Sequence, residues 1–329
     1  MTAEESDALR ADLGRAAADC AAAVAREFAA YADTRRRSAE QWFALLSRAR
    51  WLRTMALRRD KSWPEASMAR FALLAAVPAA ASRVEGLPVD VSVKRNICNV
   101  LARLPALART LDCSSWEFHE LAQAVTLQRF PAGQHNWVVG GAGRAPLLRM
   151  RVRPAHALRL LHEVTSRYGG FAPVASIHLS PWRDKPVVLR TEACRSFYRI
   201  ARSMELQPRL KGIQGMSWLH SECLRDVTPH LAWARDLFID NGAFTAEMEQ
   251  APPDCGVLTG SAERKRLYES GVFRPRVTLV LWHRDDVLDW AARHPEFGDA
   301  APSSARVLAE PRVARRVGGV GLAPHLVPQ

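Results

Sequence analysis

Three histidines end or nearly end apolar runs in the C-terminal part of the chain: His178 in ASIHLSPW, His220 in SWLHSE and His283 in LVLWHRDD. Glu222 follows His220 by two residues, and Asp285 stands in the same relation to His283. An imidazole beside a carboxylate is the pair that orients and tunes a general base near neutral pH. The same donors suit a metal, but no HxH, HExxH or HxxE spacing occurs, so no metal is expected. The competing reading is bland: polar strand ends reach solvent anyway, and a histidine there needs no function. Ser217 in QGMSWL has Gly215 where a nucleophile elbow wants it, but Leu219 replaces the second small residue, which argues against a serine hydrolase. GGAG (140–143) lacks the Lys-Ser/Thr of a phosphate loop and reads as a turn. Trp137, Trp182, Trp218 and Trp282 fall at strand ends or just after them, which suits either an aromatic-lined pocket or core packing.

These side chains sit on alternating elements. KGIQGMSWL (211–219), CGVLTGS (255–261) and RVTLVLWHR (276–284) read as strands, separated by helices over 228–242 and 262–270 and followed by one over 285–294. Strand and helix in alternation imply an α/β layer, because parallel neighbours need a helical crossover. If those strands run parallel, their C-terminal ends share one rim, where ligands of such sheets bind. That rim would carry Ser217, Trp218, His220, Ser261, Tyr268, Trp282 and His283. The aromatic loop around Trp137 is the next choice.

Upstream, residues 1–128 carry apolar residues at three- and four-residue spacing over Ala-rich spans and predict helices. Ser38 and Gln41 are placed as a capping box, and Pro105 should kink or end its helix. The texture changes near Phe130. WVVGGAGRAPLLRMRV (137–152) predicts a hairpin or a pair of strands joined by a Gly-rich turn, PAHALRLLHEVTSR (154–167) a helix, FAPVASIHLS (171–180) a strand and TEACRSFYRIARSM (191–204) a helix. The expected fold class is α/β (α+β): an all-helical N-terminal region, 1–128, then a mixed-sheet α/β domain, 129–298. Residues 299–329 lack periodicity and read as a mobile tail.

The segment TGSAERKRLYESGVFRPRV (259–277) resembles the closing helix and strand of the GNAT acyltransferase superfamily, with Leu267, Tyr268, Gly271 and Phe273 in approximately the family's places. The order of elements over 211–284 is similar too. The resemblance implies a GNAT-like fold, an acyl-CoA such as acetyl-CoA as donor, Tyr268 as proton donor to the departing thiolate, and backbone N–H groups of a splayed strand at the acyl carbonyl. His220 or Glu222 would then deprotonate the amine, with Ser217, Trp218, Ser261, His283, Trp282 and His178 lining the substrate site. Two departures stand out. Gly271 is one residue early, and the loop after 211–219, HSECLRDVTP, has no glycine for a pyrophosphate cradle.

The chain has 329 residues and a net charge of +12. The basic stretch 35–63, with Trp42, Trp51 and Trp63 interleaved, offers an alternative function: non-catalytic binding of nucleic acid or an acidic partner. At helical spacing those tryptophans instead share an apolar face, which makes the arginines a solvated side. Arg also greatly outnumbers Lys, present only as Lys61, Lys94, Lys185, Lys211 and Lys265, beside abundant Ala. That pairing fits a GC-rich coding bias, so charge is weak support for a nucleic-acid partner. The six scattered cysteines predict reduced thiols. The acidic start and the short, Pro78-broken apolar run 71–81 predict a cytoplasmic protein with no membrane partner and a small-molecule substrate.

Overall fold

The structure is a computed structural model that describes residues 2–28, 38–47, 65–110, 115–148, 152–180, 188–251, 255, 258 and 260–298. It is a mixed α/β protein with a six-stranded sheet in the order β1-β2-β3-β4-β6-β5. The strands are β1 (Arg129–Pro131), β2 (His135–Gly141), β3 (Pro173–Leu179), β4 (Gly212–Ser217), β5 (Phe244–Gln250) and β6 (Arg276–His283). β3 and β4 are parallel, whereas the pairs β1/β2, β4/β6 and β5/β6 are antiparallel. The chain divides into two compact units, 1–139 with 178–208, and 140–177 with 209–329. The first takes the β1–β2 turn and the helix 190–205 together with the N-terminal helices.

The first unit holds α1 (Ala3–Glu27), α2 (Ala39–Ser47), α3 (Glu65–Ala75), α4 (Val77–Val84), α5 (Val91–Thr110) and α6 (Trp116–Val125). Thr2 and Glu5 form a capping box on α1, and Ser38 and Gln41 form the expected one on α2. α1 buries Leu9, Leu13, Ala16, Cys20 and Ala23, one helical stripe, and packs on α5. Trp42 is core, as its helical spacing implied. α5 runs through Pro105 to Thr110 instead of ending there. Proline leaves the Leu101 carbonyl without its helical donor, and the Cys20 thiol of α1 occupies that carbonyl at 3.8 Å. Pro78 lies in the first turn of α4, where its missing N–H costs no helical bond.

The second unit holds α7 (Arg144–Leu148), α8 (Pro154–Ser166), α10 (Leu224–Val227), α11 (Trp233–Ile239), α12 (Ala262–Glu269) and α13 (Arg284–Arg293); α9 (Arg190–Glu205) belongs to the first. Three expectations are corrected here. The hairpin is β1–β2, not 137–152. Beyond β2 the N–H of Gly143, at φ +60°, donates to the buried Oε1 of Gln214 at 2.7 Å, which turns the chain into α7. The third strand is β5, not 255–261: Phe244, Ala246 and Met248 alternate with Thr245, Glu247 and Glu249, the period-2 pattern of a one-sided strand. Of 255–261 only some residues are described, with Cys255 and Leu258 buried in a small cluster. The helix expected over 228–242 is shorter, a 3-10 turn at Pro229–Leu231 and then α11.

β6 is buried from Thr278 to Trp282. On one face Leu279 and Leu281 pack with Val174, Ala246, Met248, Leu160 and Val164. On the other, Trp282 meets Phe238 and Trp290 edge to face, and its indole N–H donates to the Asn241 carbonyl at 2.8 Å. At Gly212 a Cβ would lie 2.3 Å from the backbone oxygen of Trp282. Gly212→Ala should therefore force β4 off β6 and lower stability by about 2 kcal/mol or more, the range for strain in a packed core, measurable as a fall in the urea midpoint.

Candidate functional site

The β3–β4 ladder pairs Ala175–Ile177 with Ile213–Gly215 and ends there, although β4 continues to Ser217 against β6. The last two residues of β4, Met216 and Ser217, thus have strand pairing on their β6 side, and the β3-facing side lies beyond the ladder. The chain then turns into a 3-10 turn, Trp218–His220, capped by the Ser217 hydroxyl accepting from the Leu219 N–H at 3.1 Å.

That turn folds His220 back over β4. Its ring is 5% exposed, stands edge-on to Phe238 at 5.1 Å and places Nδ1 3.4 Å from the Thr278 carbonyl. A carbonyl only accepts, so Nδ1 carries the proton and Nε2 keeps its lone pair. Gly215 makes room: a Cβ there would meet the His220 ring, Ile177 and Val280, each at 3.1 Å. Burial drives the His220 pKa down to about 4; the Thr278 carbonyl opposes this and Arg235 adds to it. His220 is therefore a neutral, packed ring at pH 7, not a solvent-facing strand end.

The structure gathers several of the expected residues around the end of β4. Trp218 and Tyr268 pack on the same apolar cluster of Leu224, Ala251, Cys255, Leu258 and Phe273. The Arg264 guanidinium lies 5.8 Å over the Trp218 ring, and the Arg264 N–H donates to the hydroxyl of Ser261, the cap of α12. The Tyr268 hydroxyl accepts from Gln250 Nε2 at 3.3 Å, and Arg274 covers its ring at 4.8 Å.

Other residues lie elsewhere. Because β4 and β6 are antiparallel, Gly212 faces His283 and Ile213 faces Trp282. His283 and Trp282 are thus at the far end of β4 from His220, and no shared C-terminal rim exists for those strands. His283 caps α13 by accepting from the Asp285 N–H at 3.4 Å, with Tyr168 edge-on at 5.3 Å. Glu222 does not orient His220: its side chain is exposed and sits 3.9 Å from Arg235. His178 belongs to the other compact unit, where burial chiefly, and Arg129 secondarily, push its pKa down to about 3. Among the described residues no group of three His, Cys, Asp or Glu could hold a metal ion.

One polar constellation has no motif in the sequence. In the first unit the Arg129 and Glu120 side chains, 2% and 3% exposed, pair at 2.8 Å, with Arg129 also donating to Gln123 and Asn136. Glu120 and Gln123 lie one turn apart on α6, while Arg129 and Asn136 share a face of the β1–β2 hairpin. A charged residue inside an apolar stripe, Glu120 in FHELAQAV, is the signal that marks it.

No family model matches the chain, and no curated protein does. Among solved structures it is similar to an acyltransferase mutant crystallised in complex with octanoyl-CoA, at 13% identity over 74% of this chain and 79% of that one, with a TM-score of 0.42. That is a weak acyltransferase-like resemblance, at the level of backbone arrangement. Among the described residues no helix is long and apolar enough to cross a membrane.

The buried histidines set an acid dependence. A histidine with its folded pKa below the unfolded 6.5 contributes stability that is fully present above pH 6.5. That contribution falls as the pH drops toward about 4 for His220 and about 3 for His178, because only the unfolded chain takes up those protons. Urea midpoints of His220→Gln should decline less steeply between pH 7 and 4 than those of the parent, the difference being on the order of 3 kcal/mol. Parallel pH profiles would show that His220 does not drive the decline.

Proposed function

We propose that the protein is an acyltransferase-like enzyme that moves an acyl group from a thioester, of the acyl-CoA kind, to the amine of a small molecule. The observation that supports this reading is the early end of the β3–β4 ladder beside a β4 that continues to Ser217. A backbone N–H beyond the end of that ladder could donate to an acyl carbonyl, and fixed dipoles aimed at a developing oxyanion are a large source of rate.

The chemistry follows from the side chains gathered there. The amine nitrogen attacks the carbonyl carbon, the oxyanion is held by the backbone at the end of β4, and the C–S bond breaks. The departing thiolate takes the Tyr268 proton. The proton lost by nitrogen goes to His220 Nε2, the acceptor left by the Nδ1 contact with Thr278. The low pKa of His220 keeps it free of a proton beforehand and makes it a weak base, so the proton it takes is passed on. In this reading Ser217 and Ser261 shape the site as caps, Trp218 lines it, and Glu222, His283, Trp282 and His178 take no part.

The basic stretch 35–63 lies largely outside the described residues. Within 39–47, Glu40 pairs with Arg83, whose guanidinium lies 4.6 Å over the Phe43 ring.

Thiol release from acetyl-CoA and octanoyl-CoA across a panel of amines tests the reading. Tyr268→Phe should lower turnover by about a hundredfold or more, as loss of a general acid does, and should keep the thioester-induced rise in melting temperature. His220→Ala should abolish turnover and also destabilise by about 2–4 kcal/mol through the cavity it leaves; His220→Gln separates the two effects. Absence of both thiol release and thermal stabilisation with every thioester would refute the proposal.

A further inference from the structure

β5 carries a bulge just before its end. Between the pairs Glu247–Thr278 and Gln250–Arg276, β5 advances three residues while β6 advances two. By alternation alone Gln250 would join Ala246 and Met248 on the face that packs with Leu279 and Leu281. The extra residue moves it instead to the face of its partner Arg276, which is also the face of Thr278 and Val280. His220 folds over that same face, since a Cβ on Gly215, the partner of Val280, would meet both the His220 ring and Val280 at 3.1 Å. Arg276 ties the row to the turn that holds His220, its backbone N–H donating to Ser221 Oγ at 3.2 Å.

On that face Gln250 Nε2 lies 3.3 Å from the Tyr268 hydroxyl. An amide nitrogen only donates, so the phenol oxygen is the acceptor of this bond and its own hydrogen stays available. Arg274 holds the same residue by its ring and its backbone: the guanidinium covers the ring at 4.8 Å, and Nη1 donates to the Tyr268 carbonyl at 2.6 Å. The chain returns for this contact through Gly271, whose φ of +83° closes α12 with its N–H on the same carbonyl at 3.1 Å. Tyr268 is thus fixed at three points: its carbonyl, its ring and its hydroxyl.

We propose that Gln250, re-aimed by the bulge, is a positioning residue for acyl transfer that acts through Tyr268, an inference that rests on the acyl-transfer reading. In the step concerned the O–H bond of Tyr268 breaks and an S–H bond forms on the departing thiolate. The electron pair of the O–H bond stays on the phenolate oxygen, and water later returns the proton. Gln250 donates to that oxygen throughout, so it never competes for the hydrogen that must be given away. A hydrogen bond strengthens when its acceptor gains charge. The bond therefore contributes more as the proton leaves than in the resting enzyme, and its effect falls on turnover rather than on binding. A carboxylate in the same place would do the reverse, accepting the Tyr268 hydrogen and repelling the phenolate.

The test is thiol release by the full chain from acetyl-CoA, with the amine of the panel that turns over fastest. Gln250→Ala should lower kcat roughly tenfold, the effect of losing one hydrogen bond to a charged group, with the KM for acetyl-CoA and the melting temperature nearly unchanged. Gln250→Glu keeps the size of the side chain and should lower kcat at least as far. In a Tyr268→Phe background Gln250→Ala should lower kcat no further, because the hydroxyl it acts through is gone. A side chain needed only for shape would cost the same in both backgrounds, and that result would overturn the proposal, as would Gln250→Glu turning over like the parent. The two readings fail differently. A parent that releases no thiol sinks acyl transfer and this role with it, whereas an active parent with unimpaired Gln250 variants sinks this role alone.

Discussion

Packing in the second compact unit is organised around β6. Its buried run from Thr278 to Trp282 is apolar on both faces apart from Thr278, so helices must cover it on both sides. Two neighbours, β4 and β5, take their register from it. The Thr278 carbonyl then holds His220, Val280 sets the gap that only Gly215 leaves open, and Trp282 ties the strand to Asn241 and α11. Moving β6 by one residue would invert every side chain along it and remove each of these contacts at once.

The same strand carries β4 to its end, pairing with it through Ser217. On the other side the parallel ladder to β3 stops at Gly215, and the chain bends into the 3-10 turn that buries His220. Burial has a chemical consequence. Neutral imidazole is favoured because a charged ring under Phe238 would lose its hydration without gaining a carboxylate, Glu222 being turned toward Arg235.

The buried Arg129–Glu120 pair poses the opposite problem. Removing two charges from water is costly, and their attraction offsets the loss only when further hydrogen bonds complete the geometry. Gln123 and Asn136 supply those bonds, and desolvation still pulls the Arg129 pKa down against the pull of Glu120. The arrangement fixes α6 against the hairpin, and it does so with groups that no simple hydrophobic pattern would select.

Most elements were legible in the sequence because their signals are local. The stripe Leu9, Leu13, Ala16, Cys20, Ala23 makes α1 a helix whatever it packs on, and Ser38 with Gln41 starts α2 within four residues of chain. The uninterrupted apolar run of β6 and the helix following it are of the same kind. Tertiary structure decided what depends on distant partners. Pro105 could not be read as harmless, because the carbonyl it frees is met by Cys20 from another helix. GGAG turns into α7 because Gln214 receives its N–H. The direction of β6 against β4 separates His283 from His220, and side-chain spacing carries no information on direction. Whether an imidazole is an exposed base or a neutral core ring is likewise set by what folds over it, and for His220 that is Phe238, brought there by the packing of α11 rather than by any residue beside it in sequence.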